Sequence, residues 1–203
     1  MTPPFAETSA GKPVVVMLHG RGAGPENILD LVPRLDRPQF RYVAPAAPNR
    51  TWYPYSFMAP IEQNEPHLSN ALAQVKGAVD DVVASGVPLD RIVLLGFSQG
   101  ACLASEFVIR NAARFGGLIA FSGGAIGPPG TTWHPPARFD GMPMFFGCSD
   151  VDAHVPEPRV RETAELCERN GATVTTRIYP GMGHLISDDE IARARDLLDR
   201  ILK

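Results

Sequence analysis

The sequence predicts an α/β protein in which a mainly parallel central sheet carries helices on both faces. Two features of the 203 residues lead to this prediction: short apolar or β-branched runs bounded by Gly or Pro recur, and amphipathic helical patterns lie between them. Strands that alternate with helices pair in parallel, because parallel neighbours need long crossover connections. The length fits one domain spanning residues 1–203, with room for a small insertion.

Short runs with the composition of strands recur along the chain, and most of them are apolar enough to be buried. They cover residues 13–18, 40–44, 91–96, 117–121, 142–146 and 173–179. Gly or Pro residues bound these runs, as is typical of the ends of strands. We predict that the runs form the central sheet.

The clearest helix is predicted between Pro66 and Gly86. Pro near the first turn and Gly just past the last turn are typical helix boundaries. Apolar residues recur between them at helical spacing, which places them on one face: Leu68, Leu72, Val75, Val79 and Val82. The pattern indicates an amphipathic helix.

Three further helices are predicted. One follows Ser98, and another covers about residues 158–170, where Gly171 closes it. The last begins at a capping box, because Ser187 is followed three residues later by Glu190. Its buried stripe continues through Ile191, Leu198 and Ile201.

Residues 45–66 do not follow this alternation. The stretch contains five prolines and a cluster of aromatic side chains, and loops of this length in compact domains are usually functional or disordered. Because it is too aromatic for disorder, we predict a long loop or a small cap. The aromatic side chains either line a substrate pocket or pack against the flank of the sheet. The pocket candidates are Trp52, Tyr53 and Phe57.

Charge, cysteine content and hydropathy exclude several classes of protein. The formal net charge of −3 offers no basic surface for nucleic acid. Three cysteines, Cys102, Cys148 and Cys167, match neither a disulfide framework nor a zinc ribbon, so we expect reduced thiols in the cytoplasm. Residues 1–12 lack a signal-peptide pattern, and no apolar run is long enough for a membrane span. The sequence leaves open whether the protein forms a homodimer.

The strongest chemical motif is Gly96-Phe97-Ser98-Gln99-Gly100, which follows the predicted strand RIVLLG and opens a helix. This context matches a nucleophile elbow, in which a serine occupies a strained turn between strand and helix. The flanking glycines leave room for the backbone to bend and for substrate to approach. The alternative is a Gly-rich turn with a passive serine.

A serine nucleophile needs a base, and the base needs an acid that orients it. Where the serine lies in a nucleophile elbow, the acid comes next along the chain and the histidine base follows it. His184 lies in the turn Gly-Met-Gly-His after the last predicted strand, which makes it the candidate base. Asp150 and Asp152 follow the strand MPMFFG, and both are candidate acids, with Asp152 preferred. Asp150, Asp152 and His154 also have the spacing of a small cation site, but no closing ligand is evident.

An oxyanion formed at a carbonyl carbon needs backbone N–H donors. One candidate is the N–H of Gln99, directly after the serine at the start of a helix. The other is the N–H of Arg21, in the glycine-rich turn that follows the first predicted strand. That turn could also be an ordinary connection or a phosphate loop, but it lacks the Gly-Lys-Ser/Thr ending of the latter.

These motifs together resemble the phospholipase/carboxylesterase group of α/β-hydrolases, which includes acyl-protein thioesterases and small bacterial carboxylesterases. The matching pieces span most of the chain: LHGRG at 18–22, GFSQGA at 96–101, SGG at 122–124, DVDAHVP at 150–156 and GMGH at 181–184. The resemblance implies an α/β-hydrolase fold, a triad of Ser98, Asp152 and His184, and oxyanion donors at Arg21 and Gln99. The chain departs from acyl-protein thioesterases at Ala153, where those proteins usually have proline, and at Pro54, where they tend to have aspartate.

We therefore expect a serine carboxylic-ester hydrolase that forms an acyl-enzyme on a small or medium-chain ester. Water would release the acyl group with help from the same histidine, so no metal or organic cofactor is expected. The alternatives are a lysophospholipase, an acyl-thioesterase, or a protein that keeps the fold and binds a ligand without catalysis.

Overall fold

The structure, a computed structural model, describes residues 11–203; residues 1–10, on which most of the signal-peptide expectation rests, lie outside the described part. Six strands form one sheet in the order β2-β1-β3-β4-β5-β6, and every neighbouring pair is parallel. The strands are β1 Val14–Leu18, β2 Arg41–Val43, β3 Ile92–Phe97, β4 Gly117–Phe121, β5 Pro143–Ser149 and β6 Thr173–Tyr179.

Helices cover both faces of this sheet, which confirms the predicted fold class. In chain order they are α1 Pro25–Leu29, α2 Val32–Leu35, α3 Ile61–Asn64, α4 His67–Ala84, α5 Gln99–Arg110, α6 Glu157–Arg169 and α7 Asp188–Ile201. Single 3₁₀ turns occupy Pro48–Arg50 and Leu89–Arg91. Within residues 11–203, none of the helices combines the length and apolarity needed to cross a bilayer.

The two faces of the sheet hold separate apolar cores, because successive strand residues point in opposite directions. In β1, Val14, Val16 and Leu18 belong to the core shared with α4, α5 and α6. Val15 and Met17 belong to the opposite core, which includes residues of α1, α2 and α7. Strands buried on both faces read as continuous apolar runs, and this is the pattern of most predicted strands.

Three short helices were not predicted: α1 and α2, between β1 and β2, and α3, at the end of the proline-rich segment. Each has four or five residues, which is too few for a helical repeat of apolar residues to be visible. Strand β5 also runs on to Ser149 instead of ending at residue 146. The predicted ends of the long helices are otherwise close to the observed ones.

The order of the strands brings distant parts of the sequence to one edge of the sheet. Parallel strands share the direction of their carboxyl ends, so the loops that follow them meet at that edge. Ser98 follows β3, Asp152 follows β5, and His184 follows β6. Residues 45–66, which begin soon after β2, lie over the same edge, because hydrogen bonds join Tyr53 and Trp52 to Gln99 at the start of α5.

Candidate active site

Ser98 occupies a sharp turn between β3 and α5. Its backbone angles, φ 54° and ψ −122°, lie in a region that residues with a side chain rarely adopt. The turn is held by the Ser98 N–H, which donates to the carbonyl of Phe121 at 2.9 Å, and by the Ser98 carbonyl, which accepts from Cys102 N–H at 3.0 Å. Strain of this kind is typical of a nucleophile elbow.

Both glycines of the motif are required by close packing of backbone. A Cβ at Gly96 would overlap the backbone of Gly100, and a Cβ at Gly100 would overlap the carbonyl group of Leu18. The motif therefore allows β3, α5 and the end of β1 to approach one another closely. The steric reason given from the sequence agrees with this geometry.

The side chains of Ser98, His184 and Asp152 form a continuous hydrogen-bonded chain. Nε2 of His184 lies 2.8 Å from Oγ of Ser98, and Nδ1 of His184 lies 2.7 Å from Oδ2 of Asp152. The imidazole therefore bridges the hydroxyl and the carboxylate with its two ring nitrogens. With Nδ1 protonated and Nε2 free, the histidine can accept the serine proton.

The Asp152 side chain is buried, and both of its carboxylate oxygens accept hydrogen bonds. Burial opposes its ionisation, but hydrogen bonds from His184 and from the backbone N–H groups of His154 and Val155 outweigh burial and hold the pKa of Asp152 below its ordinary value. A carboxylate stabilised in this way stays negative and can stabilise an imidazolium.

Asp150, the other candidate acid, has a different partner. Its Oδ1 accepts from the N–H of Gly181 at 2.8 Å, and Oγ of the neighbouring Ser149 accepts from Gly183 N–H at 3.0 Å. These two bonds fasten the loop that carries His184. The structure thus brings Asp152 to His184 and Asp150 to the backbone of the histidine loop.

Aromatic contacts fix the plane of the His184 ring. Phe97 stacks on it at 4.9 Å between ring centroids, with 30° between the planes. His154 meets it edge to face at 4.8 Å and 63°. No role beside the triad was expected for His154 from the sequence; its closeness to His184 depends on how the loops after β5 and β6 meet, which spacing does not show. Within residues 11–203, no group of three or more His, Cys, Asp or Glu side chains is arranged to hold a metal ion.

Arg21 and Gln99, whose backbone N–H groups are the proposed oxyanion donors, line the same cavity as Ser98. Gln99 is the first residue of α5, where N–H groups have no partner within the helix. Gly20, just before Arg21, is close enough to Phe97 and Ser98 that an added Cβ would contact both side chains at 3.5 Å. No loop acceptor within residues 11–203 engages the N–H of either Arg21 or Gln99. Both groups therefore remain able to donate to an oxyanion near Ser98.

The side chains of the same two residues fasten residues 51–55 over the site. The Arg21 guanidinium donates to Oγ1 of Thr51 at 3.1 Å, to the carbonyl of Pro54 at 2.8 Å and to that of Tyr55 at 2.7 Å. The Gln99 carboxamide accepts from Trp52 N–H at 3.0 Å and donates to the Tyr53 carbonyl at 2.8 Å. We refer to residues 51–55 as the cap segment. Arg21 makes these contacts while it remains exposed to solvent.

A cavity of about 620 Å³ opens above Ser98 and His184. Tyr53, Phe57 and Cys102 contribute to its wall, together with His154 on the side of the triad. Trp52, the third aromatic pocket candidate, belongs to the same apolar core as Tyr53 and Phe57 but does not line the cavity, and its indole N–H donates to the His19 carbonyl at 2.8 Å. The indole also packs against the His19 ring at 4.9 Å between ring centroids, so its apolar body and its N–H are both satisfied away from the cavity.

The three cysteines are free and buried. Burial raises the pKa of the Cys102, Cys148 and Cys167 thiols to about 12 in each case. A thiol with so little thiolate is a weak nucleophile. Cys148 therefore does not compete with Ser98, although it precedes the loop of the acid.

The parallel sheet and the chain of Ser98, His184 and Asp152 at its carboxyl edge define the class: an α/β-hydrolase-fold protein. The chain belongs to the phospholipase/carboxylesterase family, whose model matches residues 5–202. This agrees with the resemblance noted in the sequence, and membership of the family supports ester hydrolysis.

Individual relatives point in the same direction. The chain is 42% identical to a phospholipase/carboxylesterase from Dyadobacter fermentans DSM 18053, with a TM-score of 0.88 over 98% of this chain and 93% of that one. It is 26% identical to a probable carboxylesterase of Oryza sativa subsp. japonica over 99% of this chain and 82% of the relative. It is 32% identical to an acyl-protein thioesterase of Debaryomyces hansenii over 58% of this chain; that match spans 51% of the relative, about half its length.

Proposed function

We propose that this protein is a serine carboxylic-ester hydrolase that works through an acyl-enzyme on small or medium-chain esters. The hydrogen-bonded chain from Ser98 Oγ through His184 to Asp152 is the observation that carries the proposal. The proposal includes one α/β-hydrolase domain over residues 1–203 with a pocket loop at 45–66. It places the protein in the cytoplasm, with its buried thiols reduced.

The reaction begins when His184 takes the Ser98 proton on Nε2 as Oγ attacks the ester carbonyl. Asp152 holds Nδ1–H in place and stabilises the imidazolium. The N–H groups of Arg21 and Gln99 bind the oxyanion. The imidazolium then protonates the leaving alcohol, and the acyl group stays on Ser98. A water molecule, deprotonated by His184, attacks the acyl-enzyme and restores the serine.

The cavity supports a substrate of limited size. At about 620 Å³ it falls within the range of pockets that hold small molecules, roughly 300–1,000 Å³. Tyr53 and Phe57 supply apolar wall for an acyl chain, and Cys102 adds a small buried surface beneath it. These three side chains carry no formal charge, which suits a hydrocarbon chain.

The test is hydrolysis of p-nitrophenyl esters from acetate to palmitate by the native protein and by Ser98→Ala. We expect turnover that is highest for short or medium chains and falls by at least about 10³-fold in the variant, as for loss of other triad serines. Circular dichroism of both proteins excludes unfolding as the cause. Turnover that survives in folded Ser98→Ala would refute the serine mechanism, and no turnover of any ester would favour a binding protein.

A second function, acyl-thioester hydrolysis, is favoured by the match to an acyl-protein thioesterase. The same triad attacks an ester or a thioester, so the leaving group decides between them. Matched oxygen and sulfur esters of one acyl chain, compared by kcat/KM, separate the two functions. We expect the oxygen ester to react at least as fast as the thioester when both are corrected for their hydrolysis without enzyme.

A further inference from the structure

A second cavity lies directly beside the catalytic one. Its volume is about 540 Å³, and the two cavities share Gly20, Arg21, Ala23 and Phe97 in their walls. The other side chains in its wall divide evenly into a polar and an apolar set: the polar residues are His19, Asn27 and Arg50, and the apolar residues are Ile28, Leu31 and Ile186. The arrangement suits a group with an apolar body and a polar end.

The position of this cavity relative to His184 indicates which part of an ester it would take. Phe97 stacks on the His184 ring, and Ile186 is two residues beyond His184 in the same loop; both line the second cavity. The leaving oxygen must lie within hydrogen-bond reach of His184 Nε2 to receive its proton. The alcohol side of the ester is therefore directed toward the second cavity, while the wall of Tyr53 and Phe57 takes the acyl side.

The charge around both cavities is one-sided. The chain contains 22 Asp and Glu residues and has a formal net charge of −3. Nevertheless, within the described residues 11–203, no Asp or Glu lines either cavity, whereas Arg21 and Arg50 do. A cleft lined by one sign of charge concentrates ligands of the opposite sign.

The two arginines are not equivalent. The guanidinium of Arg21 is occupied by the cap segment. That of Arg50 lies 3.5 Å from Glu26, and both of these side chains are largely exposed, at 65% and 61%. An exposed pair at this distance is weak. Arg50 can therefore exchange this partner for an anionic group on a ligand.

The backbone holds Arg50 in an unusual conformation. Asn49 and Arg50 both have positive φ angles, 50° and 58°, a conformation that costs free energy for residues other than glycine. The Arg50 carbonyl accepts from Gly22 N–H at 2.7 Å, which ties this strained turn to the loop that carries Arg21. Strain of this kind is concentrated at functional sites, and here it fixes Arg50 at the rim of the second cavity.

We propose that the second cavity is the leaving-group subsite and that Arg50 binds an anionic oxygen group, a carboxylate or a phosphate, on the alcohol of the ester. This inference rests on the proposed function. The reaction itself is unchanged: the bond between the acyl carbon and the alcohol oxygen breaks, His184 protonates that oxygen, and the anionic group does not react.

The experiment compares each anionic ester with a neutral partner of the same acyl group. One pair is 4-acetoxybenzoate and its methyl ester; the other is 4-acetoxyphenyl phosphate and its dimethyl ester. The measured quantity is the ratio of kcat/KM for the anionic over the neutral ester, taken in the native protein and in Arg50→Gln. The intrinsic reactivity of each ester is the same for both proteins, and a general loss of activity in the variant affects both esters alike. Neither therefore changes the comparison of the two ratios.

We expect Arg50→Gln to lower this ratio about fivefold for at least one pair, the size of effect that an exposed charge pair produces. The pair that responds identifies the carboxylate or the phosphate as the preferred group. Glu26→Gln removes the competing carboxylate and should raise the same ratio. Added salt should reduce the ratio in the native protein and have little effect in Arg50→Gln.

Arg169→Gln is the matched control. Arg169 also pairs at 3.5 Å with a glutamate, Glu165, and the two side chains are 64% and 65% exposed, but neither residue lines the two cavities. Its ratios should equal those of the native protein. Ratios that do not change in Arg50→Gln for either pair overturn the subsite while leaving ester hydrolysis intact. Failure of the folded native protein to hydrolyse any of the four esters overturns the proposed function and the subsite together.

Discussion

Asp150 and Asp152 are two residues apart, yet their side chains have different tasks. Asp152 meets the imidazole of His184, and Asp150 meets a backbone N–H of the histidine loop. Spacing could not separate them, because both follow β5 in one loop and either could turn toward the site. The resemblance to a known family favoured Asp152, and the hydrogen bonds give the physical reason for that choice.

This difference predicts opposite sensitivities to the same substitution. Asp152→Asn should lower kcat for a p-nitrophenyl ester by about 10³–10⁴-fold, because the amide no longer stabilises the imidazolium or fixes the tautomer of His184. Asp150→Asn should change kcat by less than about threefold, because an amide oxygen can still accept from Gly181 N–H. Steady-state kinetics on both variants, with thermal melting as a check of folding, measures this. Similar losses in the two variants would contradict the assignment of Asp152.

At the scale of elements, the cap segment depends on contacts that cross the sequence. Arg21 lies 33 residues from Pro54, and Gln99 lies 46 residues from Tyr53, in the hydrogen bonds that hold this segment. The sequence singled out these residues for their backbone N–H groups. The structure adds that the side chains of the same two residues hold part of the cavity wall, which couples the proposed oxyanion donors to the shape of the pocket.

We therefore expect Arg21→Met to lower kcat/KM about tenfold, the equivalent of roughly 1.4 kcal/mol, although the backbone N–H of residue 21 remains. Methionine has a similar length but cannot donate to Thr51, Pro54 or Tyr55. The loss should be larger for medium-chain than for acetate esters, because Tyr53, Pro54 and Tyr55 of the cap segment line the cavity proposed to hold the acyl chain. Arg41→Met is the control, since the Arg41 guanidinium donates to Ser85 on the surface. Equal kinetics in the two variants would show that the hydrogen bonds from Arg21 to the cap segment have no role in catalysis.

The start of α7 gives a prediction about stability. Ser187 and Glu190 form the capping box expected from the sequence, and Oε2 of Glu190 accepts from Ser187 N–H at 2.7 Å. Burial raises the pKa of Glu190 above its ordinary value of 4.5, against the hydrogen bonds from Ser187. Between these two pKa values the folded state binds more protons than the unfolded state, so the free energy of unfolding falls as pH rises.

Glu190→Gln should abolish this part of the pH dependence. Glutamine can still cap the helix, so the native protein should lose stability relative to the variant as pH rises above about 4.5. Urea unfolding of both proteins from pH 4.5 to 7.5 measures the difference. Asp189→Asn is a control: hydrogen bonds to Arg193 and Tyr179 lower the pKa of Asp189 below 3.8, so it titrates outside this range. A constant difference between native protein and Glu190→Gln would refute the prediction.

The helices that the sequence predicted are specified by residues within one turn, whereas the helices that it missed depend on contacts with distant parts of the chain. The ends of α4 and α7 follow from Gly86 and from the capping box, which act within one turn of the helix. Helices α1 and α2 are too short for a periodic pattern. They are stabilised by Ile28 and Leu35, which pack in the apolar core that contains Val15 and Met17. The burial of Trp52 likewise depends on where the cap segment crosses the sheet, which no local pattern specifies.

At the scale of the whole molecule, the cysteines report on whether the chain behaves as one domain. Cys102 lies in α5, Cys148 in β5 and Cys167 in α6, and all three belong to the larger apolar core. If residues 1–203 unfold as one cooperative unit, each thiol becomes reactive only in the unfolded state, because burial keeps it protonated in the native state. The three thiols should then share a single free energy of exposure.

Three variants, each keeping one cysteine and replacing the other two by alanine, allow this to be measured. The rate of reaction with a thiol-specific disulfide reagent is followed across urea concentrations, where opening and closing are faster than labelling. We expect the free energy of exposure from each thiol to match that variant's own free energy of global unfolding within about 0.5 kcal/mol, the usual limit of additivity. The small size of a Cys→Ala change leaves the core packed enough for this comparison. A different result would be a free energy of exposure for the α6 thiol far below the free energy of global unfolding, while the α5 and β5 thiols match it. That result would show that the region around α6 opens as a separate unit, and it would contradict a single cooperative domain.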